Sequence, residues 1–337
     1  MLEFHAVAEP QPGARFRERF EATWPAYRDW YLRDGDAARP SYVACRYALE
    51  THMPELVPTY ERLVQLAGGG DLAARMLSLY DPPPLVTGCS QAVLTHPEPL
   101  LVRNYDFDPK LLQGVISLTA YTGRRVLGMS DCLWGLLDGV NEAGLAMSLA
   151  FGGRRVTAPG FAMPLIVRYL LELCATTREA VAVLARLPVQ AAYNLTIVDR
   201  DGDAVTAHVG PDHAADIGRA LVATNHQRTV DWPEHAEAVR SEEREQCMLD
   251  LLDSGASEQE FVAAFLAPPL YSTGYEDGFG TLYTAVYRPA EGAVDFRWPE
   301  ATWRQSIDAF DESTQNHPLR RPPDLGDPAE AVRTPLS

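Results

Sequence analysis

The sequence predicts an α+β protein, in which antiparallel sheet carries helices on its outside and follows a mainly helical N-terminal segment. Three observations carry this reading. Aromatic and aliphatic residues recur at helical spacing over residues 14–80, the run Asp81-Pro82-Pro83-Pro84 then halts helical structure, and short apolar stretches separated by Pro and Gly follow it.

In the first segment, Phe16, Phe20, Trp24, Tyr27 and Tyr31 form one stripe, which Pro25 is expected to kink or restart. Met53, Leu56, Tyr60, Leu63, Val64 and Ala67 form a second, ended by Gly68-Gly69-Gly70. Both read as packing faces and not as cofactor contacts. The proline run is the clearest boundary in the chain, because proline lacks an amide donor and restricts the residue before it.

Beyond it, strands are expected at 85–94, 100–104, 114–119 and 144–151, with a helical block at 164–187 that a Thr176/Glu179 capping box divides. Strands at 193–198 and 204–209 flank the turn Asp199-Arg200-Asp201-Gly202-Asp203. A short strand at 220–224, helices at 235–252 and 258–266, and a hairpin of 281–288 with 293–298 complete the pattern. The organisation read from this is a helical segment 1–88, a catalytic region 89–315 and a loose, Pro-rich tail 316–337.

The formal net charge of −17 argues against a nucleic-acid partner, which requires a basic face. No apolar run approaches membrane-spanning length, and the start Met1-Leu2-Glu3-Phe4-His5 has no signal-peptide pattern, so neither membrane nor secretion is expected. Cysteines at 45, 89, 132, 174 and 247 are odd in number and show no CxxC spacing, which suggests neither a disulfide framework nor a zinc site and fits a cytoplasmic protein. His208 and His213 make a poor metal pair. No cofactor is expected.

The most reactive feature is Gly88-Cys89-Ser90 at the head of a strand. Breakage of the bond before Cys89 would leave one residue with a thiol nucleophile and a free α-amine. A free thiol titrates at about 8.5 and an α-amine at about 7.7–8.0, so the amine can take the thiol proton and return it to a leaving group. Four later pieces accompany it: Arg103-Asn104-Tyr105-Asp106, the turn-like Asp138-Gly139-Val140-Asn141-Glu142-Ala143-Gly144-Leu145, Thr224-Asn225-His226, and Ser241-Glu242-Glu243-Arg244 on a helix. A strand points residues three apart to opposite faces, so Arg103 and Asp106 would both reach the thiol only if the chain bends after Asn104.

In this order and spacing, the pieces resemble the cysteine N-terminal-nucleophile hydrolases, most closely the acyl-coenzyme A:6-aminopenicillanic acid acyltransferase (peptidase C45-type) family, with choloylglycine hydrolases and penicillin V acylases as relatives. The resemblance covers about residues 85–298 and implies a four-layer αββα sandwich. It implies that residues 1–88 are a propeptide released by self-cleavage between Gly88 and Cys89 and retained as one chain of a heterodimer.

By the same resemblance Cys89 is the nucleophile, Arg103 and Asp106 belong to the Arg-Asn-x-Asp motif with Asp106 orienting the amine, Asn225 supplies an oxyanion donor, and Arg244 matches a catalytic-site arginine. The substrate class implied is a small N-acyl amide or acyl thioester, hydrolysed or transferred; a homo-oligomer is also compatible. The relatives' Leu-Asn-Phe is Leu149-Ala150-Phe151 here. Ala150 has no side-chain donor, so a second oxyanion donor falls to a backbone amide such as that of Ser90, or to another group. This departure disfavours bile-salt hydrolysis. Trp134, Phe151, Tyr271 and Tyr275 are candidate pocket residues. Two competing readings are an unprocessed protein of the same fold that binds a peptide or small amide without turnover, and a papain-like enzyme pairing Cys89 with His96 or His226.

Overall fold

The structure, a computed structural model, describes residues 1–319. It opens with strand β1 (Leu2–Ala8) and four helices, α1 (Ala14–Tyr31), α2 (Tyr42–His52), α3 (Val57–Leu66) and α4 (Asp71–Leu77). Then follow β2 (Gly88–Leu94), β3 (Leu100–Phe107), β4 (Val115–Thr119), β5 (Val126–Asp131), β6 (Gly135–Asn141) and β7 (Leu145–Phe151). Helices α5 (Met163–Leu173) and α6 (Thr177–Leu184) precede β8 (Tyr193–Asp199), β9 (Ala204–Gly210), β10 (His213–Gly218) and β11 (Val222–Ala223). The remainder comprises α7 (Pro233–Ala238), α8 (Ser241–Asp253), α9 (Glu258–Ala264), β12 (Thr273–Gly274), β13 (Phe279–Arg288), β14 (Ala293–Trp298), β15 (Ala301–Ser306) and β16 (Thr314–His317).

Two sheets result, with strand orders β10-β9-β8-β7-β6-β5-β4-β1-β16 and β11-β2-β3-β13-β14-β15. Helices α5 and α6 cover the outer face of the first, β2 and β3 of the second face β7 and β8, and α8 and α9 cover the far side. Four layers, helix–sheet–sheet–helix, are therefore present, as the family resemblance implied. Alternation explains how: Ala92, Val102 and Val286 pack outward against Met248, Phe261 and Phe265, while Cys89, Val93, Leu101 and Tyr105 join the inter-sheet core.

Several expectations are corrected. The N-terminal segment is mainly helical but also contributes β1, which lies between β4 and β16 and pairs parallel with β4, so the sheets are not wholly antiparallel. Residues 316 and 317 are not loose, since β16 pairs Leu2 with His317 and the His317 ring stacks 3.4 Å from Trp298; residues 320–337 of the expected tail lie outside the described residues. Asp138 to Asn141 belong to β6 and not to a turn. The helix expected over 235–252 is divided at Arg240, which adopts φ 51° between α7 and α8.

Pro25 neither breaks nor restarts α1. It lies on the exposed side of the helix with Glu21, where water can meet the carbonyl its missing amide leaves. Thr176 caps α6 by accepting the Glu179 amide, and Glu179 returns a bond to Ala175 N. Residues 1–88 are tied into the rest of the molecule by β1, by Trp134 Nε1 donating to Leu77 O (2.9 Å), by Arg19 donating to Leu133 O (3.1 Å), and by Tyr169 OH donating to Glu55 (2.7 Å). Among the described residues no helix is long and apolar enough to cross a membrane.

Candidate active site

Cys89 is the second residue of β2, completely buried, and pairs in register with Tyr105 of β3. Its thiol faces the inter-sheet core, where Arg103 Nη2 lies 3.5 Å from Sγ and the Thr87 hydroxyl 3.6 Å away. Arg103 is held by Asp138 of β6 and by Tyr283 of β13; Tyr283 OH also donates to Asp138 at 2.6 Å, and Tyr287 OH donates to the other carboxylate oxygen. Against the cost of burial, Tyr283, Asp138 and Cys89 keep the guanidinium protonated well beyond its ordinary range.

Asp106 reaches the same ladder from the other side. β3 does not bend: Arg103 and Asp106 point to opposite faces, and the register irregularity falls on the partner strand between Thr281 and Tyr283. Asp106 lies beside Gly88, its register partner, so closely that a Cβ at position 88 would come within 3.1 Å of the Asp106 Cβ. Its oxygens accept from Thr281 Oγ1 (2.7 Å) and Arg244 Nη1 (2.9 Å). Burial pushes the Asp106 carboxyl up, while Arg244, Thr281 and Arg103 pull it back; burial also lowers Arg244, opposed by Asp106 and Cys89.

Asn225 joins the two sides. Its Oδ1 accepts the Cys89 backbone N–H and Arg244 Nη2, each at 2.8 Å. Its Nδ2 donates to Thr87 O (3.1 Å) and Phe151 O (3.0 Å). Arg244, on the first turn of α8, also donates to Ser90 Oγ at 2.9 Å. Gly88, Cys89, Arg103, Asp106, Asn225 and Arg244 thus form one buried cluster, although they are drawn from β2, β3, the chain after β11 and α8.

The four candidate pocket residues do not gather in the same way. Trp134 is fully buried and clamps α4, Phe151 packs edge-on against Tyr193, Trp232 and His235, and Tyr275 lies over Gly280. Tyr271 alone lines a cavity, of about 190 Å³, beside Asp106 and Arg244. His226 engages Ser241 (2.8 Å), Thr224 (3.2 Å) and Glu245 (3.1 Å), and none of these bonds reaches Cys89, unlike the papain-like pairing.

Three supporting residues escape the sequence reading. Asp138 was visible within a motif but read as a turn former. Tyr283 gave no signal beyond an apolar strand. Asn194 stands opposite Ala150 on β8 and donates to the carbonyls of Thr224 and His226 (2.9 and 2.7 Å), fixing the backbone on both sides of Asn225.

A buried cysteine at the start of an inner strand, in a sandwich of two sheets between helices, defines the architecture of the N-terminal-nucleophile hydrolases. The chain belongs to the acyl-coenzyme A:6-aminopenicillanic acid acyl-transferase family, whose model matches residues 93–303, more than half of its length. Among solved structures it is similar to a mutant of conjugated bile acid hydrolase from Clostridium perfringens (11% identity, TM-score 0.49, covering 68% of this chain and 97% of that one). It is likewise similar to a Caenorhabditis elegans ortholog of N-acylethanolamine-hydrolyzing acid amidase (18%, TM-score 0.49, 68% and 100%). Penicillin V acylase from Agrobacterium tumefaciens is also similar (16%, TM-score 0.44, 65% and 86%). No curated protein matches the sequence.

Proposed function

We propose that this protein is a self-processing cysteine amidohydrolase or acyltransferase acting on the amide or thioester bond of a small N-acyl compound. The observation that carries this reading is the double engagement of Cys89: its thiol meets Arg103, and its backbone nitrogen, the amine after cleavage, already donates to Asn225 Oδ1.

In the first step Cys89 Sγ attacks the Gly88 carbonyl carbon. The C–N bond to Cys89 breaks, the thiol proton passes to the departing nitrogen, and Gly88 is left as a thioester on Sγ. Water hydrolyses this thioester, which gives a Gly88 carboxylate and restores the thiol. The extensive ties of residues 1–88 to the sheets and α5 support retention of the released piece as a second chain.

Cleavage also has a consequence at Asn225. In the intact chain both Nδ2 hydrogens are engaged, one of them by Thr87 O. Departure of Thr87 frees that donor beside the thiol. In turnover Sγ then attacks the substrate carbonyl, Asn225 Nδ2 stabilises the oxyanion, and the Cys89 amine carries the thiol proton to the leaving group. Asp106, held by Arg244 and Thr281, orients that amine, and the acyl group passes to water or to a second amine.

Incubation of the matured protein with N-acyl amino acids, lactams and acyl thioesters, followed by peptide mass mapping, tests the reading. The expected result is an acyl adduct on the peptide that begins at Cys89. Undiminished turnover by Cys89→Ala would place the nucleophile elsewhere.

A further inference from the structure

Four polar side chains behind Asn225, those of Thr224, His226, Ser241 and Glu245, have no part in the chemistry described above. Ser241 opens α8, and Arg244 and Glu245 follow three and four residues later, so all three share one face of that helix. Ser241 Oγ accepts the Asn225 backbone N–H at 2.9 Å, while Arg244 Nη2 donates to Asn225 Oδ1 at 2.8 Å. Helix α8 therefore grips Asn225 by both its backbone and its side chain. Ser241 Oγ also lies 2.8 Å from His226 Nδ1 and 2.9 Å from Thr224 Oγ1. The other ring nitrogen of His226, Nε2, donates to Glu245 Oε2 at 3.1 Å.

Glutamate, histidine and serine stand here in the order of a hydrolytic relay, but this serine is not placed to attack a substrate. Ser241 and Thr224 are completely buried. The Ser241 oxygen already meets an N–H, a hydroxyl and a ring nitrogen, and a hydroxyl has only one proton and two lone pairs to offer. The outcome of the relay is the bond to Asn225. Glu245, half-buried at the surface, pins the imidazole, and the imidazole stops the Ser241 hydroxyl from turning.

Cleavage makes that anchor matter. In the intact chain Asn225 Nδ2 is held by Thr87 O and Phe151 O. Departure of Thr87 removes one of the two, so the aim of the freed N–H then depends on how the backbone at 225 is held. Asn194 fixes the carbonyls of Thr224 and His226 on either side, and Ser241 fixes the N–H between them. A misplacement of about 1 Å at a reacting centre costs on the order of 10²-fold in rate. We propose that His226 and Glu245 are positioning residues, which act through Ser241 to fix the Asn225 peptide and so aim the oxyanion donor in the processed protein. The inference rests on the reading of Asn225 as that donor.

The test compares kcat and KM of processed His226→Leu, His226→Asn and His226→Gln on the compound of the panel above that the wild type turns over fastest. Asparagine puts a carboxamide where Nδ1 stood, able to donate or accept toward Ser241, whereas glutamine puts it near Nε2. The Leu and Gln variants are expected to lose about tenfold or more in kcat at unchanged KM, and the Asn variant to recover most of it. Wild-type kcat in His226→Leu, or recovery by glutamine as full as by asparagine, would overturn the positioning role, and a low kcat in Asn225→Ala would then leave the donor itself standing. Wild-type kcat in Asn225→Ala would remove the donor and this inference with it. Should His226→Leu fail to fold, Glu245 carries the comparison: Glu245→Ala is expected to lower kcat several-fold and Glu245→Gln, which still accepts from Nε2, to restore it, and wild-type kcat in Glu245→Ala overturns the proposal. Should no compound be turned over, hydrogen exchange of the Asn225 backbone amide decides, read in the purified protein with isotope-labelled asparagine, of which the chain has five. That amide must exchange about tenfold faster in His226→Leu than in wild type and near the wild-type rate in His226→Asn, and equal rates in all three overturn it.

Discussion

Asn225 Nδ2 donates to the backbone carbonyl of Thr87 over 3.1 Å, two residues before Cys89. The group proposed to stabilise an oxyanion is therefore held, in the intact chain, by the segment whose release would free it. Asn225→Ala is expected to lower kcat of the processed protein by about 10²–10³, the usual effect of removing one oxyanion donor. Steady-state kinetics on the processed protein measure this, with a melting curve to confirm folding; a wild-type kcat would exclude the role.

Gly88 is constrained by its neighbour across the ladder. A methyl group there would meet the Asp106 Cβ at 3.1 Å, an atom fixed close to its own backbone. Gly88→Ala is expected to slow cleavage markedly. Because the mature chain still begins at Cys89, kcat per processed molecule should match wild type, and a fall in that value would show that the substitution acts on more than processing.

Asp138 holds Arg103, and both side chains are wholly buried. Asp138→Asn preserves shape but removes the compensating charge, which predicts a loss of stability of about 3–5 kcal/mol. It also loosens the guanidinium that touches Sγ. Urea denaturation checks the first effect; an unchanged midpoint and slope would show that the tyrosines alone support Arg103.

His235 predicts an acid-sensitive fold. Burial, with Arg244 nearby, lowers it to about 4, and both ring nitrogens lack partners while the ring stacks 5.0 Å from Trp232. The unfolded residue titrates near 6.5. Between about pH 6.5 and 4 the unfolded chain takes up the proton first, so this contribution is complete above the window and is lost as pH falls through it. His235→Phe is expected to lose less Tm than wild type between pH 7.5 and 4.5, and equal losses would show that His235 does not set acid sensitivity.

How much was legible in the sequence depended on how local each signal was. Gly88-Cys89, Arg103, Asp106 and Asn225 lie at strand ends or in short polar breaks within apolar strands, where a polar residue has no packing reason to be. Asp138 was misread because β6 is buried on both faces and interrupted by Gly139, so it lacks the alternation that marks a half-exposed strand. β1 was missed because its partners, β4 and β16, lie more than a hundred residues away along the chain. The cavity walled by α1, the end of β3 and the β5–β6 turn had no signature at all, because only the tertiary fold brings those segments together.

The central claim is cleavage before Cys89, and intact mass under denaturing conditions tests it most directly. The account predicts two chains from the wild type, residues 1–88 and 89–337, and a single uncut chain from Cys89→Ala. A wild-type protein that remains one 37.2 kDa species while retaining full amidase activity would contradict it.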